Sequence, residues 1–177
     1  MTLKIDDNIS LELVEEKHTK PIYDLVSENK NHLRQWLPWV DNMQSVEFIQ
    51  NFVRGSKQRN ANKNEYAFVM IENEIVVGRV GVYKIDNQNK IGELGYWVGQ
   101  NQQGKGIVTK SCKGLIDFCF KDLNLNRLEI KCGTENIKSQ TIPHRLKFIK
   151  EGVLRQAELV HEKYIDLYLY SLCKNDI

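Results

Sequence analysis

Residues 93–108 read Glu93-Leu94-Gly95-Tyr96-Trp97-Val98-Gly99-Gln100-Asn101-Gln102-Gln103-Gly104-Lys105-Gly106-Ile107-Val108, and they lead from one apolar period into another. Leu94, Tyr96 and Val98 alternate with their neighbours, the period of two that is typical of a β-strand. From Val108 to Cys119 the apolar residues recur with the spacing of one helix face. The stretch therefore predicts a strand, a turn and a helix in direct succession.

The turn between this strand and this helix contains two glycines, Gly104 and Gly106. A turn without Cβ atoms lets consecutive backbone N–H groups point at one ligand. The positive end of the helix dipole adds to them, so the turn is suited to a phosphate group. A glycine turn that binds no ligand is the alternative.

One phosphate-binding motif that fits this turn in part is the Walker-type P-loop. Gly99, Gly104 and Lys105 have its spacing. The next residue, Gly106, has no hydroxyl group to hold Mg²⁺, and no apolar strand ending in Asp completes a nucleotide site. The sequence therefore argues against a P-loop.

A second motif fits better, the acyl-CoA turn of the form Gln-Gly-x-Gly-aliphatic-x. Gln103, Gly104, Gly106 and Ile107 match it in register, and the departure is Val108, where glycine or alanine is usual. On these residues the chain resembles the GNAT superfamily of N-acetyltransferases. The resemblance implies acetyl-CoA as cosubstrate, with its pyrophosphate over residues 103–109. It assigns cofactor contacts to Trp97, Val98, Gln103, Gly104, Lys105, Gly106, Ile107, Val108, Thr109, Asn136 and Ser139.

Length and composition are those of an ordinary globular protein. The 177 residues suffice for one domain with a real core, and 41% apolar with 27% charged residues is average. A net charge of +2 indicates neither nucleic acid nor a membrane as partner. No apolar run approaches the ~20 residues of a membrane span, and the N-terminal residues lack signal-peptide features. We expect one cytoplasmic domain over residues 1–177.

The cysteines and histidines show no metal-binding spacing, so we expect no metal. Cys112 and Cys119 lie on the apolar stripe of the long helix, and Cys132 is in phase with the apolar residues of a strand. Together with Cys173 they are interpreted as buried apolar residues rather than as metal ligands or disulfide partners.

The order of predicted elements is β-α-α-α-β-β-β-α-β-α-β-β. It indicates an α/β (α+β) domain with a mixed, mainly antiparallel sheet, and it matches the GNAT order over nearly the whole chain. The resemblance also implies two strands that splay apart at the acetyl-CoA site. The elements are Ile9–Val14, Glu15–Lys30, a short helix in Asn31–Trp39 stopped by Pro38, Gln44–Arg59, Glu65–Ile71, Ile75–Ile85, Glu93–Val98, a helix to about Leu123, Asn126–Cys132, Asn136–Leu146, Ile149–Leu159 and Lys163–Leu172.

A second GNAT signature follows the Asn126–Cys132 strand, namely Asn136-x-x-Ser139. The resemblance places Asn136 on the pantetheine or pyrophosphate arm and Ser139 near the sulfur. As a helix N-cap, Asn136 has a purely structural role as well. Many members carry a tyrosine four residues beyond the serine, as the acid that protonates the thiolate. Here that position is Pro143, so Ser139 is assigned as the acid, and we expect a kink or a late helix start.

The segment Gln156-Ala157-Glu158, with Leu33–Trp39, resembles the ribosomal-protein-serine N-acetyltransferase (RimL-type) branch. Carried over, Glu158 is the general base; taken alone it is an ordinary solvated glutamate. A peptide α-amine, with a pKa about 8, needs only modest help from a carboxylate to lose its proton. The Val98 backbone is the candidate donor to the oxyanion.

Trp36 and Trp39 occupy the region that covers the acceptor site in this superfamily. They either wall a channel for a peptide N-terminus or pack a helix on the sheet. The implied partner is the N-terminus of a ribosomal or similar protein, and a homo-oligomer is expected by resemblance. Two alternatives stay open: acetylation of a small amine such as a polyamine or aminoglycoside, and a non-catalytic CoA-binding module.

Overall fold

An eight-stranded sheet forms the centre of the computed structural model, which describes all 177 residues. The strands follow one another across the sheet in the order β1-β2-β3-β4-β5-β6-β8-β7. Only β5 and β6 are parallel, and every other neighbouring pair is antiparallel. The expected mixed, mainly antiparallel sheet is thereby confirmed. The strands are β1 Thr2–Lys4, β2 Ile9–Leu13, β3 Tyr66–Glu72, β4 Ile75–Asp86, β5 Ile91–Val98, β6 Arg127–Gly133, β7 Ile149–Val160 and β8 Lys163–Cys173.

Helices cover both faces of the sheet. The first three pack on one face, called here the α1–α3 face, around a cluster that includes Ile22, Val53 and Val69. The last two pack on the opposite, α4–α5 face, around a larger cluster that includes Leu115 and Leu128. The helices are α1 Thr19–Glu28, α2 Lys30–Leu33, α3 Val46–Ala61, α4 Ile107–Lys121 and α5 Ile137–Arg145, with 3-10 turns at Glu16–His18, Pro38–Asn42, Gln100–Gln102 and Lys174–Asp176.

The element order is confirmed except for one strand and two helix boundaries. Strand β1 was not predicted; it has only three residues and exists by pairing with β2. Pro38 does not stop a helix. Helix α2 already ends at Leu33, and Pro38 begins the next 3-10 turn, where its missing N–H costs nothing.

Helix α5 also differs from expectation. It begins directly after Asn136 and continues through Pro143 to Arg145, so of the two alternatives expected from the proline, a kink or a late start, the late start is wrong. Pro143 is the seventh of the nine residues of α5, and its missing N–H removes one intrahelical hydrogen bond, whose acceptor would be the Ser139 carbonyl. None of the helices has the length and apolar content that crossing a membrane requires.

Candidate active site

The parallel strands β5 and β6 separate halfway along their length. They pair only from Ile91 to Leu94 on β5 and from Arg127 to Ile130 on β6, although the strands continue to Val98 and Gly133. The space between the unpaired ends is called the gap below. It is the splay that the resemblance to the superfamily implied.

Backbone groups of β5 point into this gap. Gly99 donates its N–H to the Val77 carbonyl, 2.9 Å away, which makes the odd-numbered residues of β5 the ones hydrogen-bonded to β4. The N–H and C=O groups of Tyr96 and Val98 therefore face the gap, where no strand pairs with them. The Val98 N–H is thus available to a ligand, as expected. The Trp97 backbone pairs with β4, so its N–H and C=O groups do not face the gap.

The glycine turn has the backbone that the sequence predicted. Gly104 and Gly106 have φ angles of 77° and 79°, the left-handed region that favours glycine. A Cβ atom at either position would meet nothing within 4 Å, so the surface over the turn is open. Ile107, Val108 and Thr109 form the first turn of α4, where backbone N–H groups have no intrahelical partner. The buried Oγ1 of Thr109 also lacks a partner. These donors fit a pyrophosphate group.

Gln103 and Asn136 have structural contacts in addition to their expected roles. Gln103 Nε2 lies 3.0 Å from His32 Nε2, and Lys138 Nζ donates to Gln103 Oε1 at 3.0 Å. Asn136 is the N-cap of α5 and accepts the backbone N–H of Ser139 at 3.2 Å. Burial, followed by the charge of Lys138, lowers the pKa of His32. The turn, α2 and the start of α5 are thereby joined at one end of the gap.

Ser139 lies at the α4–α5 face of the gap, beside two groups on the separated strands. Its Oγ is 3.3 Å from the Tyr96 hydroxyl oxygen and 3.4 Å from Cys132 Sγ. The Tyr96 hydroxyl donates to the Ser139 carbonyl at 2.9 Å. Burial raises the pKa of Tyr96 well above its usual value and that of Cys132 as well.

Tyr96 was not among the catalytic residues predicted from the sequence. Many members of the superfamily have their tyrosine at the position that Pro143 occupies on α5, which left Ser139 as the nearest hydroxyl. The alternation of side chains along β5 places Tyr96 on the same face of the sheet as Cys132. Its contact with Ser139 depends on how α5 packs on that face, which the alternation does not show. The serine therefore has a second hydroxyl beside it.

Glu158 lies at the opposite, α1–α3 face of the gap, and an irregularity in strand β7 places it beside Ile165 of β8. Leu154 pairs with Leu167 and Glu158 with Ile165, so β7 contains two more residues than β8 between these pairs. Gln156 has a φ of 49° within this bulge and donates its N–H to Asp166 Oδ1 at 2.7 Å. An insertion of two residues keeps the side-chain alternation, so Glu158 shares the face of Ile165.

Glu158 is half-buried and has no ion-pair partner, unlike the carboxylate nearest to it on β5. Burial raises the pKa of Glu158, the negative charge of Glu93 raises it further, and Lys84 opposes them. Glu93 itself binds Lys131 at 2.8 Å and Lys84 at 3.2 Å. Although burial opposes ionisation of Glu93, these lysines hold its pKa below the usual value. Glu158 is thus the carboxylate that is free to take a proton.

The two tryptophans differ in position. Trp36 lies over Gly133 at the end of β6, where a Cβ on the glycine would be 3.1 Å from the indole ring. Trp39 packs between Phe48 and Trp97, with ring centroids 6.3 Å from each. Of the two predicted substrate contacts, Trp36 is therefore beside the gap, whereas Trp39 packs helix and sheet together.

The tip of the β7–β8 hairpin is fastened to the segment that carries Trp36. His161 Nε2 is 2.6 Å from the Arg34 carbonyl oxygen, and His161 Nδ1 is 3.3 Å from Asp41 Oδ2. Arg34 binds Asp41 through two hydrogen bonds of 2.8 Å. These contacts fix Glu158, three residues before His161, relative to Trp36.

No cluster of three or more His, Cys, Asp or Glu side chains is arranged to hold a metal ion. All four cysteines are free; Cys112, Cys119 and Cys132 are buried and Cys173 is half-buried. Burial raises the pKa of the thiols of Cys112 and Cys119. Neither thiol is a nucleophile at neutral pH.

Comparison with known proteins agrees with the geometry of the gap and the turn. The sequence model of the acetyltransferase (GNAT) domain matches residues 8–149. The ribosomal-protein-serine acetyltransferase of Escherichia coli (strain K12) is 33% identical over 170 residues, which make up 96% of this chain and 95% of that protein.

Two solved structures have the same fold. RimL, a ribosomal L7/L12 alpha-N-protein acetyltransferase in complex with coenzyme A, has a TM-score of 0.95 and 25% identity over 98% of each chain. There the coenzyme forms a disulfide with a cysteine. The microcin C7 self-immunity acetyltransferase MccE, in complex with acetyl-CoA and AMP, has a TM-score of 0.91 and 30% identity over 96% of this chain and 94% of its own. The P-loop interpretation of residues 99–106 is excluded, and the chain belongs to the GNAT family as an N-acetyltransferase similar to the RimL branch.

Proposed function

We propose that this protein transfers the acetyl group of acetyl-CoA to the N-terminal α-amine of a protein, with a ribosomal protein as the first candidate. The observation that carries the proposal is the placement of Glu158 and Ser139 on opposite faces of one gap. The names of the similar proteins, which act on ribosomal protein, support the acceptor class. The whole chain serves as one catalytic domain in this proposal.

The donor fits the gap and the turn together. The pyrophosphate binds the N–H groups of residues 104–109, and the pantetheine arm pairs with the open backbone edge of β5 at Tyr96 and Val98. The thioester carbonyl then accepts the Val98 N–H, which stabilises the negative charge that develops on its oxygen. This arrangement is the reason why the strands must separate at this point.

The amine approaches from the α1–α3 face, beside Trp36. Glu158 takes one proton from the incoming ammonium, directly or through water, and the neutral amine attacks the thioester carbon. The raised pKa of Glu158 makes its carboxylate a stronger base. The attached nitrogen then releases its second proton to solvent, and as the tetrahedral intermediate collapses, the C–S bond breaks on the α4–α5 face. Ser139 gives its hydroxyl proton to the thiolate and recovers one from solvent.

A small polyamine is a weaker candidate for the acceptor. A polyamine site needs several unneutralised carboxylates, but Glu93 is bound by Lys131 and Lys84, and Glu129, which lies opposite Glu93 on the same face, is bound by Arg127. Glu158 then remains as the one of these carboxylates that has no cationic partner. A site with one such carboxylate is suited to an acceptor with a single amine rather than to a polyamine.

The test is thiol release from acetyl-CoA with Ser- and Ala-starting peptides, the ribosomal stalk protein, spermidine and an aminoglycoside as acceptors. We expect transfer to a protein N-terminus, identified by mass spectrometry of the N-terminal peptide. Turnover with spermidine or the aminoglycoside alone would keep the donor assignment and refute the acceptor assignment.

Two variants test the residue roles. Glu158→Gln and Ser139→Ala should each lower kcat by about a hundredfold, the usual range for a general acid or base, with the Kd for acetyl-CoA nearly unchanged. Glu162→Gln is the matched control, since Glu162 is exposed at the hairpin tip. Wild-type turnover in the Glu158 and Ser139 variants would refute the roles. Analytical ultracentrifugation tests the expected homo-oligomer.

A further inference from the structure

The proline inside helix α5 leaves one carbonyl group without its ordinary donor. In an α-helix the N–H of residue 143 would bind the carbonyl of residue 139, but Pro143 has no N–H. Ser139 therefore has an unsatisfied carbonyl oxygen within the first turns of α5. An unsatisfied polar group in a partly buried place is unfavourable.

The Tyr96 side chain supplies the missing donor from another element. Its hydroxyl lies 2.9 Å from the Ser139 carbonyl oxygen, the distance of an ordinary hydrogen bond. Tyr96 is on β5, 43 positions before Ser139, and its hydroxyl is also 3.9 Å from Cys132 Sγ on β6. The tyrosine thus ties the start of α5 to the strand from which it would otherwise be separated.

The same hydroxyl also fixes the side chain of Ser139. Because the only proton of the Tyr96 hydroxyl is donated to the carbonyl, the 3.3 Å contact between the two hydroxyls is donated by Ser139 in the free protein, and Ser139 turns this proton to the sulfur only when the thiolate forms. Ser139 Oγ is thereby held 3.4 Å from Cys132 Sγ, at the edge of the gap. One hydrogen bond that Tyr96 donates and one that it accepts thus hold both the backbone carbonyl and the side chain of the serine in place.

We propose that Tyr96 is the positioning residue for Ser139, and that Pro143 creates the vacant carbonyl that binds it. The inference rests on the proposed role of Ser139 as the acid. Tyr96 is not itself the proton source, because its single hydroxyl proton is donated to the Ser139 carbonyl.

A cycle of four proteins tests the coupling: wild type, Tyr96→Phe, Pro143→Ala and the double variant. Tyr96→Phe should lower kcat about tenfold, a factor of the size one lost hydrogen bond produces, with the Kd for acetyl-CoA within twofold of wild type. In the double variant the new amide at position 143 binds the Ser139 carbonyl, so part of the kcat should return. The readout is thiol release with the protein acceptor identified above.

The free protein provides a second readout that needs no acceptor. Tyr96→Phe should lower the midpoint of urea unfolding more in the wild-type background than in the Pro143→Ala background. Tyr170→Phe is the matched control, because Tyr170 is fully buried and its hydroxyl has no partner. This variant should keep both kcat and the unfolding midpoint.

Wild-type kcat in Tyr96→Phe, or an equal loss of stability in both backgrounds, overturns the inference. Ser139→Ala separates this failure from that of the proposed function. If Ser139→Ala turns over like wild type, the acid assignment is wrong. If Ser139→Ala is impaired while Tyr96→Phe is not, only the positioning role is wrong.

Discussion

Gly104→Ala is the substitution that tests the phosphate turn most directly. The φ of Gly104 is 77°, and an L-residue in this region costs about 1–2 kcal/mol of stability. For a domain of this size that corresponds to a fall in Tm of about 2–8 °C. The free protein has room for the methyl group, since nothing lies within 4 Å of it. A clash can therefore arise only with a bound ligand.

The cost in affinity follows from the hydrogen bonds that the methyl group prevents. A backbone N–H bound to a charged phosphate is worth about 1.5–3 kcal/mol, so losing one should raise the Kd for acetyl-CoA by about ten- to a hundredfold. Isothermal titration calorimetry measures this Kd directly. Acetyl-pantetheine, which lacks the pyrophosphate, should be turned over equally by the variant and the wild type.

Gly152→Ala is the matched control. A Cβ atom at Gly152 would also meet nothing within 4 Å, but the φ of this residue is not positive and it lies on β7, away from the turn. The phosphate-turn assignment is refuted if Gly104→Ala binds acetyl-CoA within twofold of wild type. It is equally refuted if Gly152→Ala loses the same affinity.

Three further predictions concern charge and sulfur. Glu93→Gln should move the acidic limb of the kcat/KM pH profile to lower pH, because the charge of Glu93 adds to burial in raising the pKa of Glu158. Lys84→Met should move the same limb to higher pH, because Lys84 lowers that pKa. A shift of both variants in one direction would contradict this assignment. Arg127 first, then Ser171, lower the pKa of Glu151 from 4.5 to about 2, so its contribution to stability is complete above pH 4.5 and lost as the pH falls through about 2. The Glu151→Gln variant should therefore be less stable than wild type in urea at pH 6, by under about 1 kcal/mol because the pair is partly exposed, and equal to it near pH 2; a difference that grows in acid would be inconsistent. CoA disulfide should add the mass of one CoA to wild type but not to Cys132→Ser, since Cys132 is the cysteine beside the gap, and an adduct on another cysteine would disprove the placement.

Several features of the site could be predicted from the sequence because they depend on neighbouring residues. Gly104 and Gly106 adopt left-handed angles that glycine alone adopts readily. Asn136 caps a helix three residues before Ser139, a local hydrogen bond. The apolar periods before and after the turn specify strand β5 and helix α4.

The direction of the Trp97 backbone could not be predicted, because alternation alone does not say which neighbouring strand a residue bonds. Its backbone belongs to β4, and that register depends on the whole β4–β5 pair. The late start of α5 failed for a similar reason. The donor that replaces the Pro143 N–H comes from Tyr96, on a distant strand.

The sequence by itself determined the order of elements, the phosphate turn and the helix cap, because each is fixed by the conformational preferences of a few adjacent residues. Only the tertiary structure decided that β5 and β6 part after Leu94, that Tyr96 meets Ser139, and that Glu158 stands beside Glu93. These depend on sheet register and on a two-residue bulge, where pairing between distant segments sets the direction of every side chain.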